Sequence, residues 1–422
     1  MLVDIHDISS SGAGVGRHKG KVVFVPGALI GERVSCTVEK EGSSIVQARL
    51  DQIEISSEDR CAPVCPHFKK CGGCQLQHLN YQGQLTFKQK RVQDCLTRIG
   101  KLEDITVNPV KASPPLYYRN KLQVPVQNGK IGFFGANTHE FVPIDHCYLH
   151  MQSSQTILEK IESLGIPYEV NTLTLKTAFS SGSIMVIFSS FSPLSQELVD
   201  YSHLLMKEIN QIQSVYFTQR KKDANFVYGD HFKLVCGVEF IEDKILDLNF
   251  SLTKDAFFQV NSFQVAGLYQ YALDGLHLNP EDVFLDAFCG VGTMTLLAAK
   301  KVQHAIGIEC VKSSIDSAIK NQKNNNITNA SFFLAKAEDK IKDLQRVDKA
   351  VINPPRKGCE KSFLEALMKL DVARIAYVSC DPATLARDCQ ILSSHYKLVS
   401  VQPFDLFPQT VHVETVAHFA KI

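Results

Sequence analysis

The sequence predicts an α/β protein: a Rossmann-like C-terminal domain, preceded by a small β-barrel of the OB kind and a central α+β region. Three observations carry this. From about Phe250 apolar runs alternate with helix-like stretches, the pattern of a parallel sheet wrapped by helices. Within it, the strand-like run Val283–Asp286 leads into Cys289-Gly290-Val-Gly292, and a second run, Ala305–Glu309, ends in an acid 23 positions after Asp286. The first 55 residues hold short strand-like runs, Val22–Val25 and Arg33–Val38, broken by Pro26-Gly27 and Gly31. The expected domains are 1–55, 56–248 and 249–422.

Composition narrows the class. With 422 residues and 45% hydrophobic content the chain can bury a sizeable core. It has no run of 18 apolar residues, and its N-terminus lacks a signal-peptide pattern, so a cytoplasmic protein with no membrane partner is expected. Thirteen cysteines in a chain of this length point to metal binding or catalysis rather than a secreted disulfide framework. The net charge of +1 gives no global reason to expect nucleic acid. Locally the balance differs: Cys61 to Lys130 carries 11 Lys/Arg against 3 Asp/Glu, a basic face suited to phosphates or simply to solvent.

In chain order, Gly12, Gly14, Gly16 and Gly20 surround Arg17, His18, Lys19 and Lys21. This pattern resembles the TRAM domain, a five-stranded RNA-binding barrel. After a polar linker, Glu54 to Arg60, comes Cys65-x5-Cys71-Gly-Gly-Cys74. Three thiolates this close suit an iron–sulfur cluster or structural zinc, with Cys61, His67, Cys95 and Cys147 as candidates for a fourth ligand. Residues 80–100 read as a helix with Leu85, Val92, Leu96 and Ile99 near one face and Lys88, Lys90, Arg91 and Arg98 elsewhere. Tyr117-Tyr118-Arg119-Asn120-Lys121 mixes aromatic and basic side chains, as unpaired bases require, or as a sheet edge also shows.

The chemistry gathers in the last third. Gly290 and Gly292 permit a tight turn and close approach of a ligand, and Glu309 can accept ribose hydroxyls. G-x-G without a third glycine fits a dinucleotide poorly and the adenosine end of S-adenosylmethionine better. Asn353-Pro-Pro-Arg356 is a stiff loop at a strand end. Ile375–Val378 reads as a buried strand stopping at Ser379-Cys380, with Asp381 as helix cap and Pro382 in the first turn. A helix N-terminus favours a thiolate at Cys380, while Asp381 opposes it. His412, Glu414 and Val416 alternate as on a closing strand, where Glu414 could serve as a base.

Together, the N-terminal barrel, Cys65-x5-Cys71-Gly-Gly-Cys74, Phe258-Gln-Val-Asn261 before Asp286-x-Phe-Cys-Gly-x-Gly, Ser379-Cys-Asp-Pro-Ala-Thr-Leu-Ala-Arg-Asp388 and Phe407-Pro-x-Thr-x-His-x-Glu414 resemble the RNA uracil-C5-methyltransferase family, in its 23S ribosomal RNA branch. The resemblance spans nearly the whole chain and implies a class I methyltransferase domain. It implies Cys380 as nucleophile and Glu414 as general base. Cys65, Cys71, Cys74 and Cys147 match the ligands of a [4Fe–4S] cluster, with Cys61 extra. Gln259, Phe288, Thr293, Glu309 and Asn353 match S-adenosylmethionine contacts. Thr293 stands where a relative has Asn, and Asn353 where the motif usually has Asp. A monomer acting on ribosomal RNA is expected. The alternatives are a tRNA uracil-C5 enzyme, a cytosine-C5 enzyme and a non-catalytic iron–sulfur RNA-binding protein.

Overall fold

The computed structural model describes residues 1–422 except 137, 223–225 and 257. Strands β1 (Leu2–Ile8), β2 (Ala13–His18), β3 (Lys21–Pro26), β4 (Arg33–Glu41) and β5 (Ile45–Ile55) close into a barrel in the order β1-β2-β3-β5-β4. Alternation along these strands turns Val3, Ile5, Val23, Val25 and Val34 inward as one apolar cluster. Strand β5 takes in Glu54 and Ile55, so the linker begins two residues later than polarity alone suggests.

Helix α1 (Tyr81–Arg98) precedes a seven-stranded sheet of β6 (Lys121–Gln127), β7 (Lys130–Phe134), β8 (Phe141–Pro143), β9 (Val170–Thr177), β10 (Ile184–Ser190), β11 (Ile212–Gln219) and β12 (Phe232–Gly237), ordered β12-β11-β10-β9-β6-β7-β8. Every residue of β10 is buried, which explains why its apolar run is continuous rather than alternating. Helices α2 (Gln152–Ser163) and α3 (Gln196–Glu208) bury their apolar stripes on one face of this sheet.

A hairpin, β13 (Ile241–Ile245) and β14 (Leu248–Leu252), leads into the C-terminal sheet. Its strands are β15 (Val283–Ala287), β16 (His304–Glu309), β17 (Ala330–Leu334), β18 (Lys349–Ile352), β19 (Arg374–Ser379), β20 (Tyr396–Phe404) and β21 (Glu414–Lys421), in the order β17-β16-β15-β18-β19-β21-β20. All pairings are parallel except those of β21. Helices α4 (Ser262–Asp274), α5 (Thr293–Ala299), α6 (Lys312–Asn324), α7 (Ala337–Lys340), α8 (Lys361–Lys369) and α9 (Pro382–Leu392) complete the Rossmann-like unit expected from the alternating pattern. Chain order reverses at β15, whose neighbours are β16 and β18, so ligands belong at the strand ends around it.

Packing does not follow the boundary at 248/249. Val92 and Leu96 of α1 lie in the same core as Leu285, Ile352 and Leu385 of the C-terminal unit. Each such buried side chain contributes roughly 1.5–3 kcal/mol, so α1 is held by the C-terminal unit although the central region follows it in sequence.

Candidate active site and a thiol-lined cavity

Strand β19 ends at Ser379 and β21 begins at Glu414. Antiparallel pairing sets Ser379 opposite Thr415, so the next residue on each chain, Cys380 and Glu414, meet at one corner of the sheet edge. Asp381 caps α9: its carboxylate accepts the amides of Ala383 at 2.9 Å and Thr384 at 3.1 Å, and Pro382 occupies the first turn. Glu414 is 2% exposed. Burial pushes its carboxyl up to about 8, against the positive charge of Arg356. Burial also raises the Cys380 thiol; the charge of Glu414 adds to this, and Arg356 counteracts it. His412 does not lie on the closing strand. It sits in the loop before β21, its ring edge-on to Phe407 at 6.0 Å. Burial, then the charges of Arg356 and Arg91, lower its pKa, so the imidazole is neutral.

The second half of the corner is built at the switch point. Asp286, fully buried, accepts the Thr295 amide at 2.9 Å and hydroxyl at 2.6 Å through Oδ2, while among the described residues Oδ1 has no partner. Burial raises its carboxyl to about 7. Phe288 follows β15 with φ +69° and packs one ring edge on Phe363 at 5.5 Å. Gly290 has φ +54° and open space where a Cβ would stand, whereas a Cβ on Gly292 would meet the Phe332 ring at 2.9 Å. One glycine leaves room for a ligand and the other makes a close packing contact. Thr293 opens α5. Glu309, at the end of β16, accepts the amides of Cys310 at 2.8 Å, Val311 at 2.9 Å and Gly290 at 3.2 Å. The Asn353 amide donates to Ala287 at 3.4 Å, tying the Pro-Pro loop to β15. Gln259 is buried, and its carbonyl accepts Asn120 Nδ2 at 3.0 Å. Nearby, Asn261 Nδ2 donates to the Leu406 carbonyl at 3.2 Å, so the Gln259 segment abuts the loop that carries His412.

Cys65, Cys71, Cys74 and Cys147 line one cavity of about 230 Å³, beside Arg119 and Tyr148. All four are free thiols. Burial pushes Cys74 up to about 12 and raises the other three. Of the rival fourth candidates, Cys61 turns its thiol to the Gln77 carbonyl, Cys95 sits on α1 near Asp381, and His67 lines the cavity but bonds Asp145 at 3.0 Å. Among the described residues no three His, Cys, Asp or Glu side chains converge on a point that could hold one metal ion.

Residues 231–422 match the family model described as tRNA (Uracil-5-)-methyltransferase, and residues 1–48 match the TRAM domain. An uncharacterized RNA methyltransferase of Listeria innocua is 34% identical over 98% of this chain and 95% of its own. One of Halalkalibacterium halodurans is 36% identical over 98% and 95%. The chain belongs to the RNA uracil-C5-methyltransferase family. The structure of a Pyrococcus abyssi tRNA (uracil-54, C5)-methyltransferase in complex with S-adenosyl-L-homocysteine superposes with a TM-score of 0.79, at 26% identity, over 100% of this chain and 99% of that one.

Parts of this methyltransferase's site carry no plain sequence signal. Lys88, on sequence one of a basic set off the apolar face, is fully buried and ion-pairs with Asp405 at 2.6 Å, while also donating to the Phe407 carbonyl at 3.0 Å. Tyr118, on sequence a base-stacking candidate, is buried with its hydroxyl on the Pro408 carbonyl at 3.1 Å. Arg356 is visible in the sequence only as part of a loop motif, yet its charge reaches Cys380, Glu414 and His412. The nearest sequence signal is the stiff Pro-Pro pair ahead of it. Among the described residues no helix is long and apolar enough to cross a membrane.

Proposed function

We propose that this enzyme methylates C5 of uracil in 23S ribosomal RNA, with S-adenosylmethionine as methyl donor, through a covalent bond between Cys380 and uracil C6. The observation that carries the reading is the meeting of a thiol and a dry carboxyl, Cys380 and Glu414, at one strand end. Uracil C5 is too weak a nucleophile to take a methyl group directly. Cys380 Sγ, as thiolate, adds to C6 and moves electron density to C5. C5 then forms a bond to the methyl group as the methyl–sulfur bond breaks. Glu414 removes the C5 proton, the electron pair re-forms the C5–C6 double bond, and the Cys380 thiolate leaves. Burial suits Glu414 to this task, because its raised pKa makes it a stronger base once ionised. Arg356 supplies the positive charge that favours both anions.

S-adenosylmethionine supplies the electrophilic methyl group when bound. The unpartnered Oδ1 of Asp286, the open face at Gly290 and the acceptor set of Glu309 fit such a ligand. Gln259, Phe288, Thr293, Glu309 and Asn353 would hold it. The cavity lined by Cys65, Cys71, Cys74 and Cys147 has the thiol set that would hold a [4Fe–4S] cluster, one thiolate on each iron. Methyl transfer needs no redox step, so the cluster cross-links the fold and positions RNA. The barrel and the basic central region would hold a folded RNA whose target base is flipped out. The enzyme acts as a monomer in the cytoplasm.

The joint presence of barrel and thiol set supports ribosomal RNA, because bacterial tRNA members of the family generally lack both. The full-length likeness to the Pyrococcus abyssi tRNA enzyme favours tRNA as the second reading. Mapping 5-methyluridine in both RNA pools, with and without the gene, decides between them. Loss from 23S RNA alone is expected. Loss from tRNA alone replaces the substrate, and loss of 5-methylcytidine instead overturns the chemistry.

A further inference from the structure

We infer that Gln409 couples the four-thiol cavity to the general base, so that the state of the cavity sets the position of Glu414. The inference rests on the reading of Glu414 as base and of the four cysteines as a ligand set. The connection is short. The amides of Gln75 and Leu76, the two residues after Cys74, both donate to the Gln409 carbonyl at 3.0 Å. Gln75 is itself tied back to the cysteine loop, its Nε2 donating to the Gly72 carbonyl at 3.0 Å.

Gln84 of α1 grips Gln409 from the other side. Its Oε1 accepts the Gln409 amide at 2.9 Å, and its Nε2 donates to Gln409 Oε1 at 3.0 Å and to the Leu79 carbonyl at 2.8 Å. Gln409 has φ +69°, a conformation that a residue with a side chain holds only where its surroundings impose it. Those surroundings are the segment leaving the cavity and the helix that follows it. Val411, two residues on, packs with Leu76 and Phe87 and with Ile8 and Leu29 of the barrel, and Arg91 donates to its carbonyl at 2.5 Å. Glu414 begins β21 three residues later. The loop that delivers the base is therefore shaped by contacts to the N-terminal half of the chain, and two of its bonds come from the two residues that directly follow Cys74 of the cavity wall.

If the cavity empties, Cys74 and its neighbours lose their common anchor, Gln75 and Leu76 release Gln409, and Glu414 moves off the C5 proton. Adduct formation at Cys380 does not need that proton to leave, so adduct should accumulate. The test compares full-length wild type, Gln409→Ala and Gln84→Leu, each with its iron and after anaerobic chelation. Hydrogen exchange of the 405–413 amides, covalent RNA adduct, kcat and iron per chain are measured. Chelated wild type is expected to show faster exchange across 405–413, more adduct and a kcat lower by roughly ten- to a hundredfold, the scale of a small misplacement. Both variants should do the same with iron per chain unchanged, and chelation should then add nothing, since a shared path gives non-additive effects. Unchanged exchange in chelated wild type, or strictly additive effects, overturns the coupling. Wild type purified anaerobically without iron overturns the ligand set instead, and normal turnover by Glu414→Gln overturns the base.

Discussion

Cys380 and Glu414 stand at the ends of two antiparallel strands, each one residue beyond the Ser379–Thr415 pair. In the proposed mechanism, a nucleophile that must ionise and a carboxylate that must wait for a later proton are thus placed in one charge environment. That environment disfavours two negative charges and is relieved by Arg356.

The thiol should respond to both neighbours in opposite directions. Arg356→Met removes the charge that lowers the Cys380 pKa, so the thiolate fraction at neutral pH falls and alkylation by iodoacetamide should slow by about tenfold. Glu414→Gln removes a charge that raises it once Glu414 is ionised, so alkylation should speed up above about pH 8. Rates that move together, or not at all, would show that these charges do not set the thiol.

Turnover should report the buried acid. With its carboxyl at about 8, Glu414 is mostly protonated at neutral pH, so the rate of C5 deprotonation in single turnover should climb between pH 6 and 8 and level off above. A rate that falls with pH over that range contradicts the assignment.

Stability carries the same signature with a definite sign. Folded Glu414 holds its proton up to about pH 8, whereas the unfolded chain releases it near 4.5. Between those values the native state binds the extra proton, and stability falls as pH rises, by up to about 1.4 kcal/mol for each step of one in pH. Glu414→Gln abolishes that slope, so its Tm advantage over wild type should widen from pH 5 to 8. A constant difference would mean that Glu414 titrates normally.

Lys88 and Asp405 form a fully buried ion pair between α1 and the loop before β21. Lys88→Met leaves Asp405 charged and unpaired, and should cost about 3–5 kcal/mol of unfolding free energy. The double variant with Asp405→Leu should regain much of that loss in a urea titration. Equal losses in single and double variants would assign the cost to packing rather than charge.

What is legible in the sequence depends on how local the physics is. The Arg374–Ser379 strand and the Asp381–Pro382 cap can be read directly, because strand periodicity and capping act within a few residues. The order of glycines and acids marks the switch point for the same reason. Lys88 cannot be read, since its partner lies 317 positions away and a lysine on an amphipathic helix looks like a solvated one. Alternation alone puts His412 on a strand, but it is neutral and lies in the loop. By spacing alone Cys147 is one of several candidates, and only the family resemblance singles it out in the sequence; the fold brings it to the cavity of Cys65, Cys71 and Cys74, and Cys61 is left outside.

The most direct test of the account is the fate of RNA on Glu414→Gln. Incubated with S-adenosylmethionine and unmodified ribosomal RNA, this variant should accumulate a covalent complex in which Cys380 is joined to C6 of a uracil methylated at C5. Mass spectrometry of nuclease-digested enzyme should find that product, and Cys380→Ala should abolish it. Release of 5-methyluridine by Glu414→Gln at the wild-type rate, with no adduct on Cys380, would contradict the account.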